Sequence, residues 1–375
     1  MQKKNTEPYI STYLHQKGRR LGLPIAGNFE LTSRCNFNCP MCYVHMTQKQ
    51  IEESGKRELT AAEWIDIARK AKDMGMVFVL LTGGEPVVRK DFFEIYDAMR
   101  EMGLLISINS NGSLLKGEIL EKFLKAPPFR FNISLYGGNN ETYKNMCGIP
   151  VYDTVKENIR ALRKAGVEVS LNLSITPYNK DDLEMIYKDA VELDVNVKAS
   201  SYMYPPVRIN GETYGCGNRL SAEDAAMCSV RWDKIRFTDE EFAMRAENMS
   251  KLIDEYEGDC PVEADEGVRC RAGSSSFWLT WDGKMLPCGM MTTPSVNVLE
   301  AGFEKAWEFI RTETSKIHTP VKCVNCEYKE VCGVCAAVCY TETGSFSGVP
   351  EYICEKTKAQ VRLTEKIYKE TKGEK

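Results

Sequence analysis

A chain of 375 residues is long enough for one large domain and a smaller companion. Hydrophobic residues make up 43% and charged residues 27%, and the net charge is −4, so bulk electrostatics argue against a nucleic-acid partner. No apolar run approaches the roughly 20 residues of a membrane span, and Met1–Asn5 lacks the apolar core of a secretion signal, which predicts a cytoplasmic protein with no membrane partner.

Residues 1–25 read as a basic extension (Lys17, Arg19, Arg20), helical or extended, that leads into the first strand. From 26 to 203, short apolar runs alternate with helical patterns. Strands are predicted at Asn28–Thr32, Met76–Leu81, Leu104–Asn109, Arg130–Leu135, Val167–Ile175 and Val195–Ser200. Helices are predicted between them at Ala61–Met74, Phe92–Met102, Glu118–Leu124, Asp153–Ala165 and Asp181–Leu193. Thr60-Ala61-Ala62-Glu63 is a capping box, and Gly75 and Gly103 stand where helix C-caps are expected. Such alternation implies parallel pairing through right-handed crossovers, and six units fit a partial barrel better than a closed eightfold one. The fold class is therefore α/β, a partial (β/α)6 TIM-like barrel, followed by a C-terminal cysteine-rich α+β region.

Chemistry in such folds sits at the C-terminal ends of strands, and the motifs fall there. The first strand runs into Cys35-Asn36-Phe37-Asn38-Cys39-Pro40-Met41-Cys42. Three thiolates at C-x3-C-x2-C can hold three irons of a cubane cluster and leave the fourth iron open. A zinc knuckle completed by His45, or merely buried cysteines, are the alternatives. The second strand ends in Thr82-Gly83-Gly84-Glu85-Pro86, where two glycines allow close backbone approach and a carboxylate can pair with a cation. The third ends in the polar turn Asn109-Ser110-Asn111-Gly112, and the fourth in Ser134-Leu135-Tyr136-Gly137-Gly138. Each of the first two turns also reads as an ordinary strand-end turn when taken alone.

Residues 204–258 read as a linker or active-site loop followed by a charged helix near Thr238–Tyr256. Residues 259–355 hold Cys260, Cys270, a hairpin over Phe277–Cys288 turning at Asp282-Gly283, and then Cys323, Cys326, Cys332, Cys335, Cys339 and Cys354. Fifteen cysteines in a reducing compartment do not fit a disulfide framework, and metal ligation accounts better for their clustering. A zinc ribbon could imitate the middle of this series. Residues 356–375 read as a solvated amphipathic helix packing back on the domain.

Taken together, the motifs from Phe29 to Ser200 resemble those of the radical S-adenosylmethionine (SAM) enzymes. The resemblance implies a [4Fe–4S] cluster on Cys35, Cys39 and Cys42, with Gly83, Gly84, Glu85 and Pro86 at the SAM amino group. It also implies Asn111 with Gly112, and Ser134, at the ribose and carboxylate side. In that family the open iron chelates SAM, and electron transfer yields a 5′-deoxyadenosyl radical that abstracts substrate hydrogen. Two positions depart from the commonest pattern. Met41 replaces the usual aromatic residue, which leaves adenine packing to Tyr43, and Tyr136 stands where related subfamilies carry Asp.

The C-terminal spacing resembles the SPASM extension of peptide-modifying members, which carries two auxiliary [4Fe–4S] clusters. By that resemblance Cys323, Cys326, Cys332 and Cys354 hold one, and Cys270, Cys288 and Cys335 hold the other with Cys260 as fourth ligand, giving three clusters in all. Cys339 competes with Cys335, because the family usually places three residues where this chain has two or six. Cys147, Cys216, Cys228 and Cys339 are left as free buried thiols.

The function so implied is oxidative modification of a side chain or backbone carbon of a peptide or protein, as a cross-link, oxidation or epimerisation. An electron donor such as flavodoxin or ferredoxin would serve it. Members acting on sulfatases carry Asp directly after the cysteine matching Cys288; Gly289 here disfavours formylglycine formation. The alternative is radical chemistry on a tetrapyrrole or other small molecule. A non-enzymatic iron–sulfur or zinc protein leaves the strand-end turns unexplained. No catalytic base is singled out: His15, His45 and His318 stand in no motif, and Tyr136 and the acidic residues stay open.

Overall fold

The computed structural model describes residues 10–210, 214, 215, 217–254 and 267–372. Cys216 and Cys260 lie outside the described residues. In chain order the first elements are α1 (Ile10–Leu21), β1 (Ala26–Glu30), α2 (Gln48–Glu53), α3 (Ala61–Asp73), β2 (Phe78–Thr82), α4 (Phe92–Glu101) and β3 (Leu105–Ser110). The next are α5 (Gly117–Lys125), β4 (Arg130–Ser134), α6 (Asn140–Cys147), α7 (Tyr152–Lys164), β5 (Val169–Ser174), α8 (Leu183–Glu192) and β6 (Asn196–Ser200). Then come α9 (Val207–Asn210), α10 (Ala222–Arg236), α11 (Asp239–Asp254), β7 (Ser276–Leu279), β8 (Lys284–Leu286) and β9 (Val296–Asn297). The last are α12 (Val298–Ala301), α13 (Phe303–Thr314), α14 (Val321–Val324), α15 (Ala336–Thr343) and α16 (Glu351–Lys372). The strands β1–β6 and their intervening helices have the βα succession of a partial (β/α)6 barrel; the strands and α3, α4, α5, α7 and α8 lie within a residue or two of the predicted positions, while α2 and α6 were not foreseen. None of the described helices is long and apolar enough to cross a membrane.

The described chain forms two compact units. The first gathers residues up to Asn36, Val44–Asn109 and Gly267–Ile317. Its strands β3, β2 and β1 are parallel neighbours, and β7 adds in parallel to the other side of β1, in register from Ala26↔Ser276 to Phe29↔Leu279. The hairpin foreseen in the cysteine-rich region thus continues the sheet of the first strand. The physical reason is that β1 would otherwise present an unpaired edge. On one face Phe29 packs against Trp64 of α3 (5.2 Å between centroids) and Phe277, which in turn meets Phe303 and Trp307 of α13. On the other face the fully buried Glu30 accepts a 3.0 Å bond from Trp278 Nε1. Helix α1 is tied down by buried His15, whose Nδ1 lies 2.9 Å from Ser275 Oγ and whose ring stacks on Phe78.

The second unit gathers Phe37–Tyr43, the described residues from Ser110 to Asp254, and those from His318 onward. Within it β4, β5 and β6 are parallel neighbours. Helix α10 falls where the sequence read only linker. Its buried apolar residues (Ala222, Ala225, Ala226, Cys228, Val230, Trp232) span a broad arc and the apolar Met227 is exposed, so no narrow 3.6-residue stripe announces it. Helices α16, α8 and α11 pack against it, with Arg362 of α16 paired to Glu223 at 2.8 Å.

Candidate iron–sulfur and cofactor sites

In the first unit, the glycine turn after β2 is fastened to the segment that ends in Cys35. Gly84 N donates to Thr32 O at 2.8 Å and Glu85 N to Arg34 O at 2.9 Å. A Cβ on Gly83, whose φ is +140°, would fall 2.3 Å from Thr32 O, and one on Gly84 would fall 2.2 Å from Arg34 O. Both glycines are therefore required by the chain's own backbone, one residue ahead of the first thiol. Thr32 Oγ1 donates to Glu58, which also takes Arg34 Nη2 at 2.7 Å. The guanidinium of buried Arg89 clamps the same region, donating to Leu31 O (2.8 Å), Leu59 O (2.9 Å) and Asp91. Glu85 is fully buried, and Pro86 begins a 3-10 turn over Pro86–Val88.

In the second unit, Cys39 and Cys42 lie on one loop, with Cys42 N donating to Cys39 O at 3.1 Å. Cys147, read from sequence as a plain buried thiol, adjoins them: Asn38 N donates to its carbonyl at 3.1 Å, and its thiol is hydrogen-bonded to Cys39. That bond first, and burial second, push the Cys39 thiol far above the ordinary thiol range. Nothing in the cysteine spacing announces this contact; it arises because α6 ends at Cys147, where Gly148 caps it at φ +86°. Tyr136 stands beside Cys39, Cys42 and Cys147, and burial drives its phenol well above the usual range, opposed by a hydrogen bond with Ser134. The expected ribose and carboxylate contacts, Ser134 and Asn111, are in the same unit. Asn111 Oδ1 accepts Ser113 N (3.0 Å) and Ser113 Oγ (2.7 Å), which holds the turn after β3 in shape. The ring of Tyr43 faces the Arg208 guanidinium at 5.9 Å, a cation–π distance.

Also in the second unit, Cys323, Cys326, Cys332 and Cys354 line one cavity of about 120 Å³. Cys323 comes from α14 and Cys354 from the first turn of α16. Burial and then the charges of the other three sulfurs push the Cys323 thiol up to about 11, and Cys354 rises for the same reasons. Four thiols on one cavity wall match the donor set of a cubane, whose binding would favour their thiolate forms. Thr357 Oγ1, 3.5 Å from Cys332 Sγ, donates to it. Cys335 caps α15 and is absent from the cavity wall; Cys339 is fully buried inside α15, where burial pushes its thiol up to about 12.

The first unit contains a larger cavity, about 1040 Å³, walled by α1, the residues before β7 and those after β8. Cys270 and Cys288 line it, and Arg19 Nη2 donates to Cys270 O at 2.6 Å and Arg269 O at 3.1 Å. A Cβ on Gly289 would fall 2.8 Å from the Trp278 indole, so a side chain such as Asp has no room directly after Cys288. No described histidine beyond His15 lines either cavity.

Comparison with known proteins places residues 29–190 in the radical SAM superfamily. The chain is 28% identical over 338 residues to an AdoMet-dependent heme synthase of Methanosarcina barkeri, covering 85% of this chain and 93% of that one. It is 32% identical over 180 residues to a probable GTP 3′,8-cyclase of Saccharolobus islandicus, covering 47% of this chain and 56% of that one. Among solved structures, Streptococcus suis SuiB bound to precursor peptide SuiA aligns with a TM-score of 0.64 at 18% identity, covering 94% of this chain and 84% of that one. AdoMet-bound anSMEcpe aligns with a TM-score of 0.62 at 16% identity, covering 92% and 98%. These two structures establish a shared fold.

Proposed function

We propose that this chain, a radical SAM superfamily enzyme, oxidises a carbon centre of a peptide or protein substrate with the help of two auxiliary cubane clusters. The observation that carries the reading is the cavity whose wall brings together Cys323, Cys326, Cys332 and Cys354. A SAM-binding cluster on Cys35, Cys39 and Cys42 would supply the hydrogen-abstracting radical. The chain's own part is to fix those thiols: the Thr32–Arg34 segment is held by the glycine turn, and Asn38 by Cys147. A fully thiolate-ligated cluster offers no open iron, so its role is to accept the electron left after hydrogen abstraction. Cys270, Cys288, Cys335 and Cys260 remain our assignment for the second auxiliary cluster.

Anaerobic reconstitution should then give about 12 irons per chain, from three four-iron clusters. A plateau near four irons removes both auxiliary clusters. The Cys35→Ala/Cys39→Ala/Cys42→Ala variant should make no 5′-deoxyadenosine with dithionite; if it does, the radical assignment is wrong. The substrate is tested by mass spectrometry after co-expression with short peptides encoded beside the gene, where a mass loss of hydrogen is expected.

A second reading, chemistry on a tetrapyrrole or another small molecule, is favoured by one observation. Similarity to the heme synthase spans 93% of that protein, whereas the cyclase match spans 56%.

A further inference from the structure

We infer that Cys147 is a further functional residue of the SAM-binding cluster: its S–H donates a hydrogen bond to the iron-ligating sulfur of Cys39 and makes that cluster easier to reduce. The inference deepens the cluster assignment on Cys35, Cys39 and Cys42 and rests on it. Of the fifteen cysteines, Cys147 is one that neither the first motif nor the C-terminal series accounts for.

The fold fixes Cys147 firmly. It is the last residue of α6, whose buried side chains are Thr142, Tyr143, Met146 and Cys147, and only 1% of it is exposed. Gly148 ends the helix at φ +86°, with its N–H on Lys144 O at 3.0 Å, so the last turn is closed. At the other end, Asn139 accepts the Thr142 N–H at 2.9 Å, and Gly138 N donates to Asp182 at 2.8 Å. Cys147 O accepts the Asn38 N–H at 3.1 Å, which ties its backbone to the residue before Cys39, and the two thiols are hydrogen-bonded. Backbone and side chain thus both meet the Asn38–Cys39 stretch. The Tyr136 phenol lies beside the pair and is itself engaged with Ser134.

Ligation decides which sulfur donates. A cysteine that ligates iron has given up its proton, so in the loaded site the hydrogen between the two sulfurs belongs to Cys147. A thiol outside the ligand set keeps its proton at neutral pH and is a donor. Reduction adds negative charge to the cluster and its sulfurs and strengthens a bond donated to them. Such a donor therefore stabilises the reduced form. Burial keeps water from replacing the donor and from weakening the bond.

The test is an EPR-monitored redox titration of the reconstituted enzyme, in which the open-iron cluster is recognised by the change in its signal when SAM is added. Cys147→Ala removes the donor, whereas Cys147→Ser leaves nearly the same space and restores a hydroxyl donor. The Ala variant should show a ratio of reduced to oxidised cluster lower by about tenfold at a given potential, a shift of about 59 mV to more negative values for one electron. The Ser variant should lie closer to the parent than the Ala variant does. Iron should stay at about 12 per chain in both. Equal potentials in the parent and the Ala variant overturn the inference. So does an equal shift in both variants, which would be a packing effect of the smaller side chain. A drop to about 8 irons in both overturns it too, because Cys147 would then hold the cluster rather than tune it. A parent whose signal does not respond to SAM refutes the cluster assignment itself, so the two ideas fail separately.

Discussion

Replacing Gly84 by Ala separates two reasons for a glycine at this turn. If glycine is there only to admit SAM, the variant should fold as well as the parent and lose affinity for SAM. The structure gives a different expectation. The added methyl would stand 2.2 Å from Arg34 O, 2.7 Å from Arg34 C and 3.0 Å from Ser33 O, all backbone atoms with no rotamer to yield. Relief requires parting the two strands' ends, which breaks the Gly84–Thr32 and Glu85–Arg34 bonds. Each such bond contributes about 1 kcal/mol, and leaving buried partners unpaired adds about 1–2 kcal/mol more. We therefore expect a loss of about 3 kcal/mol, read as a lower urea midpoint in cluster-free protein by circular dichroism. Iron retention should fall with it, because Cys35 follows Arg34 directly. An unchanged midpoint with lost SAM binding would refute the backbone argument.

Four further outcomes are expected. Cys354→Ala should drop iron from about 12 to about 8 per chain while SAM cleavage continues, measured on one sample with circular dichroism; a well-folded variant with full iron would remove Cys354 from the ligand set. Thr357→Val removes the hydroxyl donor to Cys332 Sγ, so the potential of that cluster should become more negative in protein-film voltammetry, since donors to sulfur stabilise the reduced form. Arg219→Ala leaves Glu342 buried without the cation that pairs with it, and should destabilise the second unit by about 3–5 kcal/mol in urea unfolding. His15 has its pKa lowered to about 4, mainly by burial and then by Arg271. The unfolded imidazole takes up its proton near pH 6.5 and the folded one only near 4, so stability is lost as pH falls through that window. After discounting for the open cavity beside it, the loss is about 1–2 kcal/mol, and His15→Gln should flatten the pH dependence of the urea midpoint there.

What the sequence determined by itself is what depends on neighbours along the chain. Apolar period and capping chemistry located β1–β6 and helices α3, α4, α5, α7 and α8 between them; the Thr60 capping box and the left-handed Gly75 and Gly103 are local geometry, and they form as read. The resemblance to the SPASM extension grouped Cys323, Cys326, Cys332 and Cys354, and these four line one cavity. Helix α10 was illegible because its buried residues span a broad arc and the apolar Met227 is exposed, which blurs the periodic signal. Only the tertiary structure could decide which distant backbones meet. The glycine turn packs on Thr32–Arg34, Cys147 meets Cys39, and β7 pairs with β1 some 250 positions earlier. Likewise Arg19 and Arg20 of α1 join Arg269 and Arg271 on one cavity wall. Each of these contacts depends on crossover geometry and close packing between residues far apart in the chain, and linear spacing carries no record of either.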